Sequence, residues 1–167
     1  KADLTDQRAV AHIVKKVRPD IVYHMAALAH SLFLKQEEAE QVIVSNVLGT
    51  VYLLEALRDV GTARRIVNVG NYTEYNFAER VVDENTILRP LNAYGISKAS
   101  QDFFAQYYAR FYKMPIVIVR PTLLYGPYEA ARRLAPDVVL AHLRGIPLQL
   151  SSPSIRKDFL FVEDALD

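Results

Sequence analysis

Short apolar runs rich in β-branched residues alternate with longer amphipathic segments, and this alternation constrains the fold more than any other feature of the chain. The runs lie at residues 21–27, 65–69 and 116–119. The segments between them, 37–60 and 93–112, carry apolar residues three and four positions apart, which is typical of helices. Strands that alternate with helices predict an α/β fold, with a parallel sheet covered by helices on both faces. The continuous apolar run at 21–27 indicates a strand that is buried on both sides.

The flanking segments extend this pattern. A helix is predicted to begin at a cap formed by Thr5 or Asp6 and to end near Val17. Towards the C-terminus the spacing predicts a helix near 137–143 and short strands at 148–150 and 159–162.

Composition excludes several classes of protein. Twenty basic residues balance nineteen acidic ones without a basic run, so a nucleic-acid-binding surface is not expected. The chain has no cysteine, and its four histidines are widely scattered, so no metal site is expected. No apolar stretch approaches the ~18–20 residues that span a bilayer, and no signal-peptide pattern is visible. We therefore expect no membrane association and a cytoplasmic location.

Candidate site residues follow the predicted strands, because ligands bind at the carboxyl ends of the strands in parallel α/β sheets. His24, Ala26 and Ala27 follow the first strand, and small residues there allow a ligand to approach the backbone. Polar residues follow the second strand, from Asn71 to Glu74. The alternative for His24 is a buried, hydrogen-bonded histidine at the end of a packed strand.

Tyr94 and Lys98 stand four positions apart near the predicted start of helix 93–112, and therefore on one helix face. An unperturbed tyrosine has a pKa of about 10, and lowering it by ~3 units takes ~4 kcal/mol of preference for the phenolate. A neighbouring ammonium group supplies such a preference. Tyr94 could then exchange a proton with a carbinol or ketone oxygen. The alternative is a tyrosine at a helix start beside a solvated lysine.

Six motifs in chain order resemble the NAD-dependent epimerase/dehydratase family, the extended short-chain dehydrogenases/reductases that act on nucleotide sugars. The matching segments are Asp3-Leu4-Thr5-Asp6, His24-Met25-Ala26-Ala27, Asn46 in Asn-Val-Leu-Gly-Thr, Tyr94 with Lys98, Arg120-Pro121 with Tyr125-Gly126-Pro127, and residues 156–164. The resemblance implies a Rossmann-like doubly wound parallel sheet, NAD or NADP as the cofactor, and a nucleotide-linked sugar as the substrate.

The resemblance also assigns residues to roles. It implies that Tyr94 and Lys98 are catalytic, with Thr73 or Asn71 supplying the polar group that the family takes from a serine or threonine. The residues implied at the cofactor are Asp3, Leu4, His24, Ala26, Ala27, Asn46, Val69, Tyr94, Lys98 and Pro121. The residues implied at the substrate are Tyr72, Thr73, Leu123, Arg156 and Lys157.

Three departures from the family pattern bear on these assignments. No glycine precedes Gly49, so we expect the first βαβ unit and its glycine-rich pyrophosphate loop in roughly sixty residues before Lys1. Asn71 stands where the family has a hydroxyl residue. Leu123 stands where it has asparagine, and Lys157 where it has arginine.

The resemblance divides the chain into an incomplete Rossmann domain at 1–127 and the start of a substrate-binding region at 128–167. Six aromatic residues in 103–112 cover more of the helix circumference than one contact needs, which favours a homodimer formed through helices 37–60 and 93–112. The leading hypothesis is an epimerase, dehydratase or 4-ketoreductase of a nucleotide-linked sugar. The alternative is a catalytically silent Rossmann module, or a fragment, with a binding or assembly role.

Overall fold

The computed structural model describes residues 1–29, 36–75, 81–130, 133–148 and 156–166. They belong to two compact units, Lys1–Arg120 and Pro121–Asp167. The boundary between the units precedes the one expected at residue 127, because the strand that follows Pro121 pairs within the second unit.

The first unit contains three strands and the helices that connect them. In chain order its elements are α1 (Gln7–Val17), β1 (Ile21–His24), α2 (Gln36–Val42), a π-helical segment (Ile43–Leu48), α3 (Gly49–Val60), β2 (Arg65–Val69), a 3₁₀ turn (Tyr72–Glu74), α4 (Ala93–Phe111) and β3 (Ile116–Val119). The strands form one parallel sheet in the order β1-β2-β3, in which Ile66 lies opposite both Val22 and Ile116. The predicted parallel sheet is thus confirmed.

The described helices of the first unit pack on one face of this sheet. The core of this layer contains Val10 and Val14 of α1, Leu54 and Leu57 of α3, and Tyr108 of α4, packed around Ile66. On the opposite face Ile21 and Tyr23 are 52% and 64% exposed. The expectation of strands buried on both sides is therefore wrong within the described residues, because an apolar run indicates which residues favour burial and not what covers them.

Local sequence explains where the helices begin and end. Asp6 is the N-cap of α1, as predicted, and its carboxylate accepts hydrogen bonds from Arg8 N and Ala9 N at 3.0 Å. Asn92 caps α4 in the same way, accepting from Gly95 N at 2.7 Å. Gly61 ends α3 in the left-handed conformation, with φ +62°.

The second unit contains β4 (Leu123–Tyr125), α5 (Leu134–Arg144) and β5 (Phe159–Phe161). β4 and β5 pair in parallel, with Leu123 opposite Phe159. The predicted helix and the predicted strand at 159–162 are confirmed to within a few residues, whereas residues 149–150 of the other predicted strand lie outside the described residues. No helix in the described part of the chain is long and apolar enough to cross a membrane.

Candidate active site

His24 ends β1 as a buried, neutral side chain. Its Nε2 lies 2.7 Å from the hydroxyl of Thr50 and 3.3 Å from the amide nitrogen of Gln101, which itself donates to Thr50 Oγ1. Burial, together with the positive charge of Lys98, lowers the pKa of His24 to about 4. His24 therefore joins β1 to α3 and α4 without carrying charge at neutral pH.

Four of the residues predicted to contact the cofactor border one open groove. Asp3, Leu4, Ala26 and Ala27 line a cavity of about 510 Å³ together with Lys1, Ala2, Leu28 and Ser45. Asp3 is held in its turn by hydrogen bonds from the backbone N–H and the hydroxyl of Thr5, both at 2.9 Å. The groove thus lies where the chain enters α1 and leaves β1.

Asn46 lies in the π-helical segment and is fully buried. Its Oδ1 accepts from Leu28 N at 2.6 Å, and its Nδ2 donates to Leu28 O at 3.2 Å and to Ser97 Oγ at 3.0 Å. These bonds attach the segment after β1 to α4, so Asn46 positions the groove beside Leu28. A π-helical turn of this kind is frequent at functional sites.

The loop after β2 carries Asn71, Tyr72 and Thr73. Asn71 caps the 3₁₀ turn by accepting from Thr73 N at 3.0 Å, while Thr73 itself is buried and its hydroxyl has no hydrogen-bond partner among the described residues. A Cβ added to Gly95 would lie 2.5 Å from the carbonyl oxygen of Thr73. The loop therefore packs directly on the first turn of α4, next to Tyr94.

Tyr94 and Lys98 occupy the first two turns of α4, as predicted. Lys98 is 2% exposed, and its Nζ donates to the carbonyl oxygen of Val69 at 2.5 Å, at the C-terminal end of β2. Burial lowers the pKa of Lys98, while the carboxyl groups of Glu74 and Asp102 act in the opposite direction. Ser97 donates to the carbonyl oxygen of Tyr94 at 2.7 Å and accepts from Asn46, which holds this turn of α4 to the π-helical segment.

Two buried carboxyl groups and one arginine lie beside Lys98. Arg120, at the end of β3, donates through Nε to Asp102 at 2.6 Å and to Glu74 at 3.1 Å. Arg120 Nη1 donates to the hydroxyl of Tyr75 at 2.8 Å. Asp102 also accepts from Asn68 of β2 at 3.1 Å. The group of Glu74, Asp102 and Arg120 is named the carboxyl–arginine cluster below.

This cluster was not recognised in the sequence. Asp102 follows Lys98 by four residues and therefore shares its helix face, which is a usable signal. Glu74 and Arg120 gave no such signal, because the hydrogen bond between them joins residues that are 46 positions apart in the chain.

The remaining predicted residues lie in the second unit. Pro121 and Leu123 are half-buried, and Leu123 begins β4. Arg156 and Lys157 are exposed just before β5. Thr122 donates to the carbonyl oxygen of Asp158 at 2.8 Å, so these two segments lie side by side.

Comparison with known proteins agrees with this architecture. A model of the NAD dependent epimerase/dehydratase family matches residues 1–167. The dTDP-glucose 4,6-dehydratase of Haemophilus influenzae is 28% identical over 98% of this chain and 52% of its own length. The chain spans about half the length of the curated relatives it matches.

Two solved structures show the same likeness. The structure of dTDP-glucose 4,6-dehydratase from Bacillus anthracis, in complex with NAD, has 27% sequence identity and a TM-score of 0.83. The match covers 99% of this chain and 51% of the Bacillus chain. That of UDP-glucose 4-epimerase from Thermus thermophilus, also in complex with NAD, is 29% identical with a TM-score of 0.79, over 98% of this chain and 56% of that one.

A parallel β1-β2-β3 sheet with its candidate site at the carboxyl ends of the strands defines an α/β protein of the Rossmann type. The match over its whole length shows, further, that the chain belongs to the NAD dependent epimerase/dehydratase family.

Proposed function

We propose that this chain carries the proton-transfer residues of an NAD(P)-dependent epimerase, dehydratase or 4-ketoreductase that acts on a nucleotide-linked sugar. Tyr94 is the acid–base residue, and Lys98 is its cationic partner. The observation that carries the proposal is the placement of Lys98, a residue that is 2% exposed and whose ammonium group donates to Val69 O at the ligand-binding edge of the sheet. A solvated lysine, the alternative reading of the motif, would not be buried there.

The chemistry follows from that burial. A cation in a low-dielectric environment interacts more strongly with nearby charge than one in water, so it favours the phenolate of a neighbouring tyrosine over the phenol. Tyr94 then takes a proton from a sugar hydroxyl or returns one to a ketone oxygen. Asn71, whose side chain caps the 3₁₀ turn after β2, is one candidate for the polar group beside this position, and the buried hydroxyl of Thr73 is the second.

The described residues fit the two ends of a dinucleotide. The groove bordered by Asp3, Leu4, Ala26 and Ala27 fits the adenosine end, and Tyr94 with Lys98 fits the nicotinamide end. No glycine-rich loop for the pyrophosphate occurs before Gly49. When bound, NAD or NADP supplies the acceptor and donor of hydride. The proposed role of three further residues is structural: His24 and Asn46 hold the backbone around the groove, and Val69 holds Lys98. Pro121 is a further candidate for contact with the cofactor.

The proposed substrate class rests on the relatives, which include a dTDP-glucose dehydratase and a UDP-glucose epimerase. In this chain Tyr72 and Thr73 are the substrate candidates of the first unit. Leu123, Arg156 and Lys157 are the candidates of the second, where two basic side chains suit the phosphates of a nucleotide.

The proposal also includes a homodimer formed through helices 37–60 and 93–112, and a cytoplasmic location. The support for the dimer is an aromatic surface on α4: Phe103, Tyr107 and Phe111 are 60%, 41% and 74% exposed. Large exposed apolar patches of this kind mark interaction surfaces.

A catalytically silent module remains the second candidate, because Asn71 replaces the hydroxyl residue of the family pattern and the hydroxyl of Thr73 is buried. Turnover of the complete protein with NAD and dTDP-glucose or UDP-glucose separates the two functions.

Tyr94→Phe tests the assigned acid–base role. We expect it to lower kcat by about 10²-fold or more, because the variant keeps the ring and removes the proton. The exposed Tyr128, substituted in the same way, is the matched control, for which we expect unchanged turnover. Near-normal kcat for Tyr94→Phe would exclude Tyr94 as the acid–base residue.

A further inference from the structure

The carboxyl–arginine cluster lies beside Lys98, but none of its three side chains is among the proton-transfer residues proposed above. Glu74 and Asp102 are both 0% exposed, and Arg120 donates to both through its Nε. Burying two carboxyl groups against one guanidinium costs desolvation free energy that this contact offsets only in part. Such an arrangement therefore contributes little to the free energy of folding. Its role follows instead from the segments of the chain that it holds together.

Glu74 holds the loop that carries the candidate site residues. Its Oε1 accepts from the backbone N–H of Asn71 at 2.5 Å, which completes a reciprocal cap of the 3₁₀ turn. A Cβ added to Gly70 would lie 2.5 Å from the same Oε1, so the carboxyl group reaches this place only because residue 70 is glycine. One carboxyl group thus connects the start of the loop to the end of β3 through Arg120.

We propose that Glu74 is a positioning residue of the candidate active site, whose carboxyl group sets the place of loop 70–75 beside Tyr94. The inference rests on the proposed function, since it is the placement of Asn71 and Tyr72 that Glu74 controls. Glu74 does not touch the reacting atoms.

The charges around Glu74 give the direction of the effect. Asp102 and Lys98 face it from α4 and Arg120 from the end of β3, and the phenol of Tyr75 accepts a hydrogen bond from Arg120. Burial, followed by the charge of Asp102 and a hydrogen bond with it, raises the pKa of Glu74 to about 8. Glu74 is therefore mostly protonated at pH 7. Above pH 8 it becomes a second carboxylate beside Asp102, and repulsion between like charges opposes the arrangement that holds Asn71.

The test is the pH profile of kcat, measured on the complete enzyme with NAD and its nucleotide sugar. Wild type is expected to lose turnover on an alkaline limb centred near pH 8. Glu74→Gln keeps the shape and the acceptor for Asn71 N, and it cannot ionise. Its amide nitrogen replaces the oxygen that accepts from Arg120 at 3.1 Å, but Arg120 keeps its 2.6 Å bond to Asp102. We therefore expect kcat within a few-fold of wild type at pH 7 and no alkaline limb near pH 8. Glu84→Gln, which changes an exposed carboxylate, is the control and keeps the limb.

Glu74→Val tests positioning separately, because it removes the contact with Asn71 N and Arg120. We expect kcat at pH 7 to fall roughly tenfold, while the KM for NAD changes by less than about twofold. This combination is expected when the loop beside Tyr94 is misplaced and the cofactor site remains intact. Should this variant fail to fold, the Glu74→Gln profile decides alone. An alkaline limb unchanged in Glu74→Gln overturns the inference, and so does wild-type kcat in a folded Glu74→Val enzyme.

Failure of the inference is distinguishable from failure of the proposed function. If Tyr94→Phe abolishes turnover while the profile of Glu74→Gln matches wild type, the proposed function stands and the positioning role falls. If wild type lacks turnover, or Tyr94→Phe keeps it, the proposed function falls, and the positioning role falls with it.

Discussion

Gly95 allows the closest approach between α4 and the loop that carries Asn71, and Gly95→Ala is therefore the most direct perturbation of the candidate site. The added Cβ would lie 2.5 Å from the carbonyl oxygen of Thr73, 3.2 Å from its carbonyl carbon and 3.1 Å from the Cβ of Pro90. Two of these three atoms belong to the backbone, so rotation of a side chain cannot relieve the overlap.

The magnitude of the effect follows from these distances. Cβ atoms essentially never approach other heavy atoms to less than 3.0 Å, so the Thr73 carbonyl oxygen must move by at least about 0.5 Å. Overpacking typically costs ~1–3 kcal/mol, and exchange of glycine for alanine in a helix returns at most ~1 kcal/mol. We expect a loss of about 1–2 kcal/mol in the free energy of unfolding. Because a 1 Å misplacement can cost ~10²-fold in rate, half that distance predicts a loss in kcat of about tenfold.

The assay compares urea unfolding and kcat for Gly95→Ala and for Gly61→Ala. Gly61 adopts φ +62° at the end of α3 and has only Arg58 O, at 3.8 Å, near an added Cβ. Alanine there costs ~1 kcal/mol through the left-handed conformation alone. The control therefore loses similar stability with unchanged kcat. Wild-type kcat in folded Gly95→Ala enzyme would refute the proposed contact between this loop and the reacting groups.

Two further predictions concern His24 and the surface of α4. Because burial lowers the pKa of His24 from 6.5 to about 4, the folded state binds fewer protons than the unfolded state between these values. Its contribution to stability is thus present above pH 6.5 and is lost, by up to ~3 kcal/mol, as the pH falls to 4. Urea unfolding of His24→Gln should show a shallower loss over this window than wild type, and equal slopes would contradict the assignment. Phe103→Glu with Phe111→Glu should convert the proposed homodimer to a monomer in light scattering at micromolar concentration, whereas a monomeric wild type would exclude the dimer.

The sequence predicted the parts of the fold that depend on local patterns. β2 and β3 have the bounds that their β-branched runs indicated, and Asp6 caps α1 as expected. Tyr94 and Lys98 lie at the start of α4 because Asn92 fixes the first turn of that helix. In each case neighbouring residues carry the information.

The features that the sequence did not predict depend on contacts between distant segments. The apolar spacing in residues 37–60 did not indicate the π-helical turn at 43–48, which becomes explicable only through the bonds from Asn46 to Leu28 and Ser97. Burial of Thr73 follows from packing of its loop on Gly95, which lies more than twenty residues later in the chain. Exposure of one sheet face depends on which elements cover it, and a strand's own sequence does not contain that information.

The two halves of α4 show why stability and function are separable in this chain. The first half buries polar side chains near the carboxyl ends of the strands, namely Ser97, Lys98, Gln101 and Asp102. The second half buries Ala105 and Tyr108 on the side of the core. Each of the four polar side chains makes at least one hydrogen bond, but Gln101 Oε1 has no partner among the described residues, so the desolvation cost is offset without net gain. The free energy that keeps α4 on the sheet must therefore come largely from contacts of the second half with α3, β3 and the core around Ile66. An isosteric change in the first half preserves the shape of the side chain and alters one proton or charge. We therefore expect it to change the geometry of the site and kcat more than it changes the free energy of unfolding.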